Sequence, residues 1–131
     1  MLILCQPNAG YYELAALSSN LLEFYLDNGV TVVLWNYRGY GDSEGFCTMQ
    51  NIKSDARILA NFIKKKLKPR MIAVHGISLG GHAAKGLSES VDIVLADRTF
   101  SYISKTAEFI FRLYPDRNVR VSDPKRVQHL H

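Results

Sequence analysis

The chain has 131 residues, 47 % hydrophobic and 21 % charged, the balance of one ordinary globular domain rather than a disordered or repetitive segment. No apolar run reaches the ~18 residues of a membrane span, and the opening "MLILCQPNAG" lacks the basic flank of a signal peptide. A net charge of +4 without interleaved aromatics gives no reason to expect nucleic acid as a partner, and two cysteines without CxxC spacing support neither a disulfide framework nor a zinc site. Free thiols of this kind point to a reducing, intracellular compartment.

Along the chain, apolar runs alternate with helical patterns. "LILC" (Leu2–Cys5) reads as a first strand. Leu14, Leu17, Leu21, Leu22 and Tyr25 then recur at helical spacing as far as "DNG" (Asp27–Gly29), where Gly29 offers a left-handed stop. "VTVVLW" (Val30–Trp35) is apolar on both faces, as a strand covered on both sides should be. After the glycine-rich loop "NYRGYGDSEG" (Asn36–Gly45), Ile52, Ala56, Leu59, Ile63 and Leu67 mark one face of a second helix. Its lysines at 64–66 meet the negative end of the helix dipole, and Pro69 stops it. "MIAVH" (Met71–His75) is the third strand, a helix with Ala83, Ala84 and Leu87 follows Ser78, and "VDIVLA" (Val91–Ala96) is the fourth strand. Phe100, Ile103, Ala107, Ile110 and Phe111 suggest a last helix, ended by Pro115.

This order predicts the α/β class: a mostly parallel sheet with helices on both faces. One domain would occupy residues 1–131, with a core over 2–113 and a polar segment over 114–131. Four strands with both edges bare, the first opening the chain, read as the central portion of a larger domain.

Chemistry concentrates at Gly76-Ile77-Ser78-Leu79-Gly80, a G-x-S-x-G between a strand and a helix. A serine on such a sharp turn stands clear of its backbone, so a base can reach its hydroxyl. The glycines two residues to either side give the turn room, and the N–H of Leu79 is the natural donor to a developing oxyanion. Ser78 is therefore the candidate nucleophile. The stretch is neither G-x-G-x-x-G nor G-x-x-x-x-G-K-[ST], which leaves dinucleotide and Walker-type readings without a motif. The loop after the first strand, "CQPNAGYYE", is where the second oxyanion donor belongs; Pro7 has no N–H, which leaves Asn8 or Ala9.

Taken in order, "PNAG", "NYRGYGDSEG" and "HGISLGG" resemble three motifs of the α/β-hydrolase superfamily: its oxyanion loop, its D-Y-R-G-Y-G-x-S-x-G loop and its nucleophile elbow. The resemblance spans Leu2 to Phe111 and departs at Gln6-Pro7, where the family usually has His-Gly. It is strongest to the membrane-associated phospholipid lipases, with monoacylglycerol lipases and protein depalmitoylases close behind. The resemblance implies a serine acyl hydrolase acting on carboxylic, above all lipid, esters. It implies no metal and no cofactor, and membrane attachment through segments outside this region. An acyl-protein thioesterase would differ only in its leaving group.

The family's triad runs Ser, then Asp or Glu, then His, and by resemblance the last two would follow His131. Within the chain, order also permits Ser78–Asp97–His129. His75 and His82 flank the serine too closely in sequence to fold back on it, and read as packing or rim residues. A chain that keeps the serine without acid and histidine would be a non-catalytic module.

Overall fold

A computed structural model describes residues 1–99; the expected last helix and the polar tail lie outside the described residues. The elements run β1 (Leu2–Cys5), α1 (Tyr12–Ser18), α2 (Asn20–Asp27), β2 (Val32–Leu34), α3 (Met49–Lys66), β3 (Ala73–Ile77), α4 (Gly80–Leu87) and β4 (Ile93–Asp97). All four strands are parallel, in the order β2-β1-β3-β4. The class is α/β, as the alternation predicts. Right-handed crossovers from this order put α1 and α2 on one face and α3 and α4 on the other.

The core sits where that geometry requires. Strand β1 is central, and Leu2, Ile3, Leu4 and Cys5 are all buried. On α3, Ile52, Ala56, Ala60 and Ile63 repeat at helical spacing and are buried, while Leu67, expected on the same face, is exposed beyond the helix end. Thr48 caps α3 by accepting the Asn51 N–H at 3.0 Å, and Lys64, Lys65 and Lys66 fill its last turn. Small residues let α3 and α4 pack closely. A Cβ on Gly86 would press on Lys53, and Arg57 donates to the Gly86 carbonyl at 3.0 Å.

Three expectations need correction. The stretch from Leu14 to Tyr25 is two helices, because Ser19 leaves the helical conformation (φ −98°, ψ 104°) and caps α2 through the Leu22 N–H. The strand read over Val30–Trp35 has only three residues, all half-buried, because β2 lies at an edge of the sheet. The third and fourth strands begin two residues later than their apolar runs. Register explains both: Leu2 pairs with Ala73, and Ala73 with Ile93. Before that point the Asp92 carboxylate accepts the Ile72 N–H at 2.7 Å.

Candidate active site

Parallel order with a change of direction leaves a crevice at the C-terminal ends of β1 and β3, where loops depart to opposite faces. Cys5 pairs with Gly76, so the chain after β1 and the chain after β3 emerge side by side. The predicted Ser78 and the Asn8-Ala9 stretch are brought to this one end of the sheet.

Ser78 occupies a one-turn junction from β3 into α4, with φ at +52°. That left-handed conformation costs a non-glycine residue ~1–2 kcal/mol, so its surroundings must enforce it. They do so largely by exclusion. A Cβ on Gly76 would strike the Gly80 carbonyl, and one on Gly80 would strike the carbonyl of Cys5. Bare backbone at both positions lets α4 begin directly against the ends of β3 and β1. The Ser78 N–H donates to the Asp97 carbonyl at 2.9 Å, and the Ser78 carbonyl accepts from Gly81 N–H and from Thr99 Oγ1, both at 3.0 Å. The Leu79 N–H has no hydrogen-bond partner among the described residues and lies at the positive end of α4.

The loop after β1 is held differently. Its own hydrogen bond is a single turn, Gly10 N–H to the Pro7 carbonyl at 3.0 Å, and Ala9 within it has φ +60°. Three side chains from the segment after β2 reach across to it. The buried Tyr37 hydroxyl donates to the Gln6 carbonyl at 2.7 Å, the Tyr40 hydroxyl donates to Asn8 Oδ1 at 2.7 Å, and Asn36 Oδ1 accepts the Tyr12 N–H at 2.8 Å. Asn36 also donates through Nδ2 to the Glu13 carboxylate at 3.0 Å. Burial raises the Tyr40 phenol above its usual value; the nearby Cys47 thiol adds to the rise, and the Ala9 N–H beside the phenol oxygen opposes it. Gln6 is buried, and its carboxamide nitrogen has no hydrogen-bond partner among the described residues.

The other candidates fall as follows. The Asp97 carboxylate lies at the end of β4 and pairs with Arg98, its nearest contact 3.1 Å, while its carbonyl holds Ser78. His75 faces α2, where its Nδ1 shares a 2.8 Å hydrogen bond with the Tyr25 hydroxyl. Burial holds the His75 imidazole below its usual pKa, and Asp97 partly opposes this. His82 is buried on α4, and burial, then Lys53 and Lys85, lower its pKa. Among the described residues no imidazole hydrogen-bonds Ser78 Oγ. His129 lies outside the described residues. No cluster of three or more His, Cys, Asp or Glu occurs among the described residues, and no helix there is long and apolar enough to cross a membrane.

Sequence reasoning picked out the glycines of the loop after β2 and missed Asn36, Tyr37 and Tyr40, which do the holding. Thr99 was likewise missed. The signal available was the pair of tyrosines flanking Arg38-Gly39.

In sequence the chain is similar to parts of a membrane protein and of two lipases. An uncharacterized membrane protein of Saccharomyces cerevisiae is 34 % identical over 119 residues, which cover 86 % of this chain and 41 % of the relative. Phosphatidylserine lipase ABHD16A of Macaca fascicularis is 30 % identical over 105 residues, 76 % of this chain and 18 % of the lipase. Lysophosphatidylserine lipase ABHD12 of Danio rerio is 41 % identical over 59 residues, 45 % of this chain and 15 % of the lipase. The chain thus spans about two fifths of the yeast relative and less than a fifth of either lipase. No family model and no solved structure matches it.

Proposed function

We propose that the chain is an α/β-hydrolase-type serine acyl hydrolase, with Ser78 as nucleophile and lipid esters as the substrate class. The observation that carries the reading is Ser78 in a left-handed turn between β3 and α4, with Gly76 and Gly80 stripped of side chains where the turn closes. The similarity to two lipases that act on serine phospholipids supports the substrate class.

In this reading Ser78 Oγ attacks the ester carbonyl carbon as its proton passes to a histidine. The negative oxygen is held by the Leu79 N–H together with that of Asn8 or Ala9. The alcohol leaves with the proton from the histidine, and water then releases the acyl group. Within the chain, His129 is the histidine whose order after Ser78 and Asp97 permits this role. A thioester would follow the same path with a thiol as leaving group. A non-catalytic binding module is the second reading, favoured by one observation: among the described residues no imidazole hydrogen-bonds Ser78 Oγ.

Hydrolysis of lysophosphatidylserine and of p-nitrophenyl butyrate by the purified chain, beside Ser78→Ala, tests the proposal. Activity should fall by about 10³-fold or more in the mutant. A folded wild-type chain inactive on both esters would favour the binding module.

A further inference from the structure

The turn over Pro7–Gly10 is poorly equipped to hold itself. Asn8 and Ala9 are exposed, one internal hydrogen bond closes it, and Ala9 sits at φ +60°. An exposed alanine in that conformation relaxes unless something outside fixes it. Of the three side chains that reach this loop, Tyr37 anchors its start at Gln6 and Asn36 its end at Tyr12. Among the described residues Tyr40 reaches the middle, its hydroxyl donating to Asn8 Oδ1 at 2.7 Å and its oxygen lying beside the Ala9 N–H.

Tyr40 is itself held firmly. Its ring meets Tyr37 edge to face at 5.5 Å, and Tyr37 meets Trp35 in the same manner at 4.9 Å. The loop bearing it closes on itself through Tyr40 N–H to the Tyr37 carbonyl, Ser43 N–H to the Tyr40 carbonyl, and Gly39 N–H to the Ser43 carbonyl. A phenol fixed in this way has little freedom left to lose when it holds Asn8.

We propose that Tyr40 is a positioning residue for acyl transfer: its hydroxyl fixes the Asn8-Ala9 turn so that a backbone N–H is in place before the oxyanion forms. The proposal rests on Ser78 being the nucleophile. An oxyanion donor contributes about 10²–10³-fold in rate only when it is preorganised, so loosening one without removing it costs less, about 10-fold.

The test compares the wild-type 131-residue chain with Tyr40→Phe, which keeps the ring against Tyr37 and removes the hydroxyl. Saturation kinetics of fluorophosphonate labelling at Ser78 give kinact and KI, and amide hydrogen exchange gives the freedom of Asn8 and Ala9. The expected result is a kinact about 10-fold lower at unchanged KI, with exchange faster at Asn8 and Ala9 and unchanged along α3. Adding Asn8→Leu to Tyr40→Phe should slow labelling by less than the two single effects combined, because both variants break the Tyr40–Asn8 bond. Unchanged kinact, or exchange that rises throughout the domain, overturns the proposal. If the folded wild type does not label at all, the nucleophile reading fails, and local exchange alone then decides whether Tyr40 fixes the turn.

Discussion

The two loops that meet at the end of the sheet are built on opposite plans. The turn at Ser78 is held by the absence of side chains, with backbone packed on backbone at Gly76 and Gly80. The loop at Asn8 is held by side chains of another segment, 24 to 32 residues away along the chain. The first plan gives a rigid junction that tolerates no added atom. The second gives a loop set by individual hydrogen bonds, each removable without disturbing the core. A strained serine needs the first plan, whereas the oxyanion donor proposed for the Asn8 loop is compatible with the second.

Breaking the junction should produce the largest effect. Gly80→Ala puts a methyl group into the carbonyl of Cys5, which belongs to the central strand and cannot move aside. A loss of about 3 kcal/mol, the upper end for overpacking, should show as a lowered urea midpoint. Gly86→Ala, on the same helix, is the control, since its Cβ would come no nearer than 3.1 Å to Lys53. If the two variants were equally stable, steric exclusion would not be what holds the turn.

On the other side of the comparison, Tyr37→Phe removes the hydroxyl from the buried Gln6 carbonyl while keeping the ring beside Trp35. The expected cost is ~1–2 kcal/mol, read from the same unfolding curves. A larger loss would mean that the second loop is as integral to the core as the first.

The smallest expected effect is a pH dependence. His75 and His82 are both held below their usual 6.5 in the folded protein, first by burial. The unfolded chain therefore takes up protons that the folded chain refuses. Stability is fully present above about 6.5 and falls as pH drops below it, toward the lowered folded values. Melting temperatures at pH 7.5 and 5.5 should show that decline, and His75→Gln should reduce it. A melting temperature that rises on acidification would contradict the direction.

The same contrast explains what the sequence revealed. Alternating apolar runs were enough for the parallel α/β order, because strands covered on a face and helices with one buried stripe leave different periods. Gly76, Ser78 and Gly80 were legible for a related reason: a steric requirement writes itself as glycine at fixed spacing. The tethers were not. Nothing local to Asn36 or Tyr40 announces a partner in the loop after β1, since that pairing exists only once β1 and β2 lie side by side. Strand boundaries also slipped by two residues, because register with the neighbouring strand, β1 for β3 and β3 for β4, rather than apolar content decides where they begin. The break at Ser19 was missed because a serine within a helical pattern competes locally with the helix only when its side chain caps the next one.

The central claim, that Ser78 is an activated nucleophile, is tested most directly by fluorophosphonate labelling of the purified chain, with the modified residue read by mass spectrometry and circular dichroism confirming the fold. The account predicts one label, on Ser78, and none on a folded Ser78→Ala variant. A folded wild-type chain that stays unlabelled, or a label that persists in Ser78→Ala, would contradict it.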